Sequence, residues 1–159
     1  MSDTQPSLTE PAADAAPAVR RHRMAVLARA SLADLERALS DAGPLPAWER
    51  LRGPETGMVM VRGRMGGSGR AFNLGEMTVT RCAVRLADGR IGHAYLAGRD
   101  GRRAELAAVL DAAALDSRVA EALAATIDAM ARAQRAARID RSRRAAATKV
   151  AFYGMVRMG

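Results

Sequence analysis

The amino-acid sequence predicts an α+β fold, in which a small antiparallel sheet is flanked by N-terminal and C-terminal helices. Apolar residues recur at helical spacing before residue 43 and after residue 101, whereas residues 57–97 show strand-like patterns. Between two of the strand-like runs lies Asp88-Gly89, a dipeptide typical of a two-residue hairpin turn. The chain has 159 residues, enough for one ordinary domain, and we place that domain at residues 20–159.

Residues 1–19 are predicted to form a disordered tail. The segment is rich in Pro, Ala, Ser, Thr and Asp, and Pro6, Pro11 and Pro17 would interrupt a helix. It has no basic region followed by an apolar run, so we expect no signal peptide.

Residues 20–42 predict a helical pair or one broken helix. Ser31 can cap the second helix, because its hydroxyl can accept a hydrogen bond from an unpaired backbone N–H. Three leucines at helical spacing follow it, and Gly43 and Pro44 end the helix. Ala47–Leu51 follow a proline that suits a helix start, so they are predicted to add one helical turn.

Three strands are predicted, at residues 58–65, 73–87 and 90–97. A two-residue turn would pair Ala87 with Arg90. The same register would place three further pairs on the core face: Leu86 with Ile91, Val84 with His93, and Cys82 with Tyr95. His93 would then be a core histidine and Cys82 a small buried residue, and Arg81 and Arg85 would lie on the opposite face.

Two helices are predicted after the sheet, at Arg102–Ala114 and at residues 118–139. A basic helical end follows, with arginines at positions 132, 135, 138, 141, 143 and 144. The segment 148–157 is strand-like and apolar, so it is either packed into the core or offered to another chain.

The composition favours a basic protein with an anionic partner. The formal net charge is +8, which suits a nucleic acid, a phosphorylated small molecule or an acidic protein surface. Aromatic residues make up only 3% of the chain, and they are scattered, which argues against a nucleic-acid-binding module. There is no apolar run long enough to span a membrane, and we expect a cytoplasmic protein.

The sequence indicates no cofactor or metal site. Cys82 is the only cysteine, so no internal disulfide can form, and no Cys/His spacing matches a metal site. No nucleophile, base and orienting group can be assembled from the pattern.

Polar residues interrupt the core face of the middle strand at Glu76, Thr78 and Thr80. A strand face that is apolar at one end and polar at the other indicates a functional site, a β-bulge or a partner surface. Glu76 is expected to pair with Arg99 or Arg102, as part of a structural ion-pair network or, with a second acid or base, of a catalytic site.

The glycine-rich loop Gly63–Arg70 resembles a phosphate cradle, because glycines let backbone N–H groups approach an anion. The anion-binding candidates are Arg62, Arg64 and Arg70. The alternative is a flexible loop with solvated arginines, and no Gly-Lys-Ser/Thr sequence follows that would make it a P-loop.

Three segments together resemble the PhnG family of phosphonate metabolism. They are Gly63–Cys82, which contains Phe-Asn-Leu-Gly-Glu-Met-Thr-Val-Thr-Arg, Gly89–Asp100, and Ala147–Arg157. The first is the most specific. The resemblance covers residues 20–159 and leaves the tail outside.

The resemblance implies a subunit of the carbon–phosphorus lyase core complex, assembled with the H, I and J subunits. It implies participation, with the I subunit and with help from H and L, in making ribose 1-methylphosphonate 5-triphosphate from ATP and methylphosphonate, with release of adenine. The nucleosidase chemistry is credited to the I subunit, and the radical cleavage and its iron–sulfur cluster belong to J. No cofactor and no chemical step are assigned to PhnG itself.

We therefore expect an accessory subunit that chiefly binds the I subunit. The candidates for an interface or shared site are Asn73, Glu76, Thr80, Arg81, Arg99 and Asp100. Two alternatives stay open: a stand-alone basic module that binds anions or nucleic acid, and a free-standing enzyme that acts on a phosphorylated substrate.

Overall fold

A computed structural model describes residues 15–64 and 68–148. Its elements, in chain order, are α1 (Ala15–Leu27), α2 (Leu32–Asp41), β1 (Trp48–Arg64), β2 (Ala71–Leu86), β3 (Ile91–Ala97), α3 (Gly101–Ala113) and α4 (Ser117–Ala147). The strands form an antiparallel sheet in the order β1-β2-β3. The predicted α+β class is confirmed, with helices before and after the sheet.

Helix α3 lies at the centre of the protein. It packs on the sheet with one side and on α1 and α2 with the others, and every residue from Ala104 to Ala114 is buried. Six of these residues are alanines, whose small side chains let neighbouring elements approach closely. A helix surrounded on all sides is apolar all round, and two carboxylates within it, Glu105 and Asp111, are the exceptions.

The turn between β2 and β3 has three residues, where the sequence predicted two. The Leu86 N–H donates to the Arg90 carbonyl, and the Leu86 carbonyl accepts from the Gly89 N–H, both at 2.9 Å. Gly89 has φ +90°, a conformation that glycine adopts without steric cost. This is a three-residue loop that ends in a left-handed glycine, so the predicted pairing of Ala87 with Arg90 is wrong.

The longer loop shifts the pairing by one residue and reverses the two faces of β3. Val84 lies opposite Gly92 and Cys82 opposite Ala94. Because side chains alternate between faces, the β3 residues predicted to face the core are exposed instead: Ile91, His93 and Tyr95. The β2 half of the prediction is confirmed, since Cys82, Val84 and Leu86 are buried while Arg81 and Arg85 are exposed. We call the sheet side that carries Arg81 and His93 the open face.

Two further boundaries differ from the prediction. Ala47–Leu51 do not form a helical turn: β1 begins at Trp48 and pairs with the end of β2. Helix α1 begins at Ala15, so residues 15–19 are helical, and Pro17 lies in the first turn, where a missing N–H is tolerated. The predicted cap is confirmed, because the Ser31 hydroxyl accepts from the Asp34 N–H.

Some predictions fall outside the described residues. They are the disorder of residues 1–14 and the strand-like segment beyond Thr148. Among the helices that are described, none is both long and apolar enough to cross a membrane.

Candidate functional site

The paired ends of β1 and β2 project beyond the rest of the sheet. Strand β3 pairs only with residues Val79–Arg85 of β2, whereas β1 and β2 continue together as far as Arg64 and Ala71. Residues 58–64 of β1 and 71–78 of β2 thus form a two-stranded ribbon, which we call the arm. None of the arm's described residues is buried, so both of its faces are open to solvent.

The arm carries large apolar side chains on both faces. The most exposed are Met58 (67%) and Leu74 (66%), and the others are Met60, Phe72 and Met77. An irregularity in pairing between Val61 and Arg62 leaves Leu74 without a partner in β1, which is the arrangement of a β-bulge. Exposed apolar side chains grouped in this way mark an interaction surface.

The two faces of the arm differ in character. Phe72 and Leu74 lie over Gly63, where an added Cβ would be 3.6 Å from the Phe72 ring, and this face continues the open face of the sheet. The other face combines Met58 and Met60 with polar groups. Two of the predicted site residues lie there, because Glu76 is opposite Met60 and Asn73 is opposite Arg62.

Glu76 does not form the predicted pair with Arg99 or Arg102. No ion pair within the described residues involves its carboxylate. Its exposed place on the arm explains the difference, since the turn that carries Arg99 begins where β3 ends and the arm extends beyond that point.

Thr80 and Asp100 stabilise the turn that leads into α3. The fully buried Thr80 hydroxyl donates to the Gly98 carbonyl at 2.7 Å and lies 3.2 Å from the Thr56 hydroxyl. The Asp100 carboxylate caps α3 by accepting from the Arg103 N–H at 3.0 Å. Between them, Arg99 is exposed at the tip of the turn.

Arg81 lies on the open face and pairs with Glu55 of β1. Its guanidinium Nη2 is 2.9 Å from Glu55 Oε2, which also lies 3.4 Å from Arg52. Both partners are half exposed, so the pair contributes little to stability. The six predicted residues thus occupy three places: the arm, the turn before α3, and the open face.

The three anion-binding candidates lie at the tip of the arm. Arg62 and Arg64 end β1 and Arg70 precedes β2, and all three are exposed. Arg64 Nη1 donates to the Gly69 carbonyl at 3.1 Å. Residues 65–67 of the predicted cradle lie outside the described part, so anion binding there stays a prediction.

Sequence patterns missed a buried ion-pair cluster at Asp111. This fully buried carboxylate accepts from Arg20 Nη2 at 2.7 Å and from the His93 backbone N–H at 3.1 Å, and Arg23 lies 3.7 Å away. The hydrogen bonds that Arg20 donates to Asp111 raise the pKa of Arg20, whereas burial lowers the pKa of Arg23. The cluster fastens α1 to α3 and to the edge of β3.

A second buried carboxylate fastens β1 to α3. Glu105 accepts from Arg50 Nη2 at 2.8 Å and from Trp48 Nε1 at 3.2 Å. The hydrogen bond from Arg50 holds the pKa of Glu105 below its usual range. The signal in the sequence was the presence of acidic residues in an otherwise apolar helix, since buried charges are nearly always paired.

The side chains most often used in catalysis are in structural or exposed places. Cys82 is buried as predicted, its thiol donates to the Arg52 carbonyl at 3.3 Å, and burial raises its pKa. His93 is exposed on the open face. Among the described residues, no group of three or more His, Cys, Asp or Glu side chains could hold a metal ion.

Comparison with known proteins identifies relatives over nearly the whole chain. Residues 18–158 match the family model described as phosphonate metabolism protein PhnG. A protein of Rhizobium meliloti (strain 1021), named α-D-ribose 1-methylphosphonate 5-triphosphate synthase subunit PhnG, is 46% identical over 149 residues. That alignment covers 91% of this chain and 92% of the relative.

Proposed function

Because this chain belongs to the PhnG family of phosphonate metabolism proteins, we propose that it is an accessory subunit of an α-D-ribose 1-methylphosphonate 5-triphosphate synthase. The name of the Rhizobium meliloti relative describes such a subunit. The extent of the match supports the transfer of this role, since it includes the arm, the sheet, helices α2 to α4 and most of α1.

We further propose that the chain works within the carbon–phosphorus lyase core complex, beside the H, I and J subunits. There it would support the formation of ribose 1-methylphosphonate 5-triphosphate from ATP and methylphosphonate, chiefly by binding the I subunit. In this proposal the I subunit carries out the nucleosidase step. This chain positions the I subunit or completes its active site, and it does not catalyse the step alone.

The observation that carries the proposal is the arm. A two-stranded ribbon is at best marginally stable in water without further packing, and this one exposes Met58, Met60, Phe72, Leu74 and Met77. Methionine side chains are flexible and adapt to a partner surface. An arm of this kind is stabilised when a partner covers its apolar side chains, which favours a permanent subunit contact.

The predicted interface residues fit this surface in different ways. Asn73 and Glu76 lie beside the exposed methionines, as polar groups do at the rim of an interface. Arg81 and the exposed Arg99 present charge near the base of the arm, where they would contact an acidic partner or a shared anionic substrate. Thr80 and Asp100 would act indirectly, by positioning the turn that carries Arg99.

Reconstitution of the synthase tests the proposal. The H, I and L subunits with ATP and methylphosphonate should release adenine and form the triphosphate only when this chain is added, and the chain by itself should form neither. Full activity without the chain would contradict the accessory role. Turnover by the chain alone would instead favour the free-standing enzyme considered above.

A further inference from the structure

A groove between α1 and α4 concentrates positive charge away from the arm. It has a volume of about 830 Å³, and we call it the basic groove. Its lining includes Asp128 and the arginines Arg29, Arg103, Arg132, Arg135, Arg138 and Arg141. Six arginines therefore share the groove with a single carboxylate.

No carboxylate in the described part of the chain forms an ion pair with the arginines of the basic groove. Within the described residues, the ion pairs join arginines elsewhere to carboxylates, and none of them involves any of these six or Asp128. The side chains of the four arginines on α4 also make no hydrogen bond within that part of the chain. Their N–H donors are available to a ligand.

Two of the arginines are held in place at the end of α1. Arg103 donates to the Ala30 carbonyl at 2.9 Å and to the Ala28 carbonyl at 3.3 Å, and Arg29 donates to the Ala25 carbonyl at 2.8 Å. Each guanidinium has five N–H donors, so these bonds leave others free. The contacts fix one wall of the groove before any ligand arrives.

Four arginines of α4 line the groove from the opposite side, in a row that turns about half-way round the helix. They recur at every third position from Arg132 to Arg141, a distance of about 14 Å along the helix axis. Like charges at this spacing repel one another and destabilise a helix. The uncharged part of the groove's lining is mostly alanine, including Ala25, Ala28, Ala131 and Ala137, so small side chains leave room beside the guanidinium groups.

From this arrangement we infer that the basic groove binds a linear polyphosphate. Guanidinium groups bind phosphate oxygens with two parallel hydrogen bonds, and six arginines on two sides of one groove suit an anion with several phosphates better than a single phosphate. A bound polyanion would also relieve the repulsion along α4. The inference goes beyond the proposed function, which depends on the arm and not on this groove.

Calorimetric titration of the full chain with inorganic triphosphate tests the inference. The variant Arg135→Gln/Arg138→Gln removes two charges from the row and keeps good helix formers. The matched control Arg118→Gln/Arg143→Gln removes two charges from exposed positions of the same helix, outside the groove. Thermal unfolding of both variants checks that the fold is intact.

We expect one triphosphate per wild-type chain, with an affinity that falls by at least ~30-fold in the groove variant and changes less than ~2-fold in the control, because each charge-assisted hydrogen bond contributes strongly to binding. ATP is titrated in parallel. Equal affinity for ATP would identify the triphosphate of a nucleotide as a source of the ligand, and tighter binding of inorganic triphosphate would identify the free anion.

Three results would overturn the inference: no binding of either ligand at millimolar concentration, an equal loss in the control variant, or tighter arginine-dependent binding of an acidic peptide or an oligonucleotide. The groove variant should still assemble with the partner subunits. Failure to bind triphosphate with normal assembly would therefore leave the proposed function standing, and loss of assembly would make the groove a partner contact.

Discussion

Gly92 of β3 lies directly against the backbone of Ala108 in α3. A Cβ at Gly92 would be 2.0 Å from the Ala108 carbonyl oxygen and 2.5 Å from the Ala112 backbone nitrogen. Neither atom can move without displacing the central helix, so the strand and the helix can pack at this distance only with glycine there.

Replacing Gly92 with alanine should therefore destabilise the fold. We expect Gly92→Ala to lower the free energy of unfolding by about 3 kcal/mol, as overpacking of a rigid core does. Gly75→Ala is the control, because a Cβ at Gly75 meets nothing within 4 Å. Denaturant unfolding of both variants measures the difference, and equal stabilities would show that β3 and α3 do not pack as described.

The Glu105–Arg50 pair should make stability depend on pH. Arg50 lowers the pKa of Glu105 in the folded state. The pair therefore stabilises the protein fully above the ordinary glutamate pKa of about 4.3. This stabilisation is lost as the pH falls through the lower pKa that Glu105 has in the folded protein. Glu105→Gln should cost about 2 kcal/mol at neutral pH. The gap between wild type and variant should shrink below about pH 4, and a gap that stays constant in urea melts across this range would be inconsistent with the pair.

Cys82 should react only when the protein opens. The side chain is buried, its thiol is bonded to the Arg52 carbonyl, and burial raises its pKa, so the reactive thiolate is scarce and shielded. A thiol reagent should label the native protein at least ~100-fold more slowly than the protein in denaturant. Labelling is measured as an increase in the mass of the protein. Rapid labelling of the native chain would show that β1 does not cover Cys82.

The predicted site residues should matter more for the complex than for folding. Glu76→Ala/Arg81→Ala removes two exposed side chains, so stability should change by less than about 1 kcal/mol. Synthase activity of the assembled complex should fall at least ~10-fold if these side chains contact a partner or a shared substrate. Arg85→Ala, which removes an exposed arginine from the same face and strand, should retain activity, and wild-type turnover by the double variant would exclude them from the site.

Local patterns predicted the fold class and failed where pairing over a long distance decides the structure. The predictions of the Ser31 cap and of the buried positions of β2 were correct, because a helix cap and an alternating strand pattern depend on residues close in sequence. Ala47–Leu51 follow a proline typical of a helix start, yet Trp48 pairs with Leu86 on β2. The Asp88-Gly89 dipeptide suits both a two-residue and a three-residue loop. The difference of one residue in loop length decides which side of β3 faces the core.

The sequence predicted individual residues of the candidate site, but it did not predict the surface that they share. Asn73 and Glu76 were recognised as polar interruptions of β2, and they lie on the arm. The arm itself was not foreseen, because it exists only where β3 is shorter than its neighbours. The arginines of α4 were recognised as a basic helical end that could bind phosphates or form a solvated face. The groove itself was not predicted, because it forms only where α1 and Arg103 lie opposite them.

Binding to the I subunit is the most direct test of the arm. Wild-type chain, the arm variant Met58→Lys/Leu74→Lys and the control Val19→Lys/Leu115→Lys, which alters exposed apolar residues elsewhere, would each be co-expressed with a tagged I subunit. The mass of the eluted assembly would then be measured. We predict a salt-resistant complex for wild type and control, and at least ~10-fold less for the arm variant although its fold is intact. Recovery of the tagged I subunit without the wild-type chain, or equal recovery of all three complexes, would contradict the proposal that this subunit binds its partner through the arm.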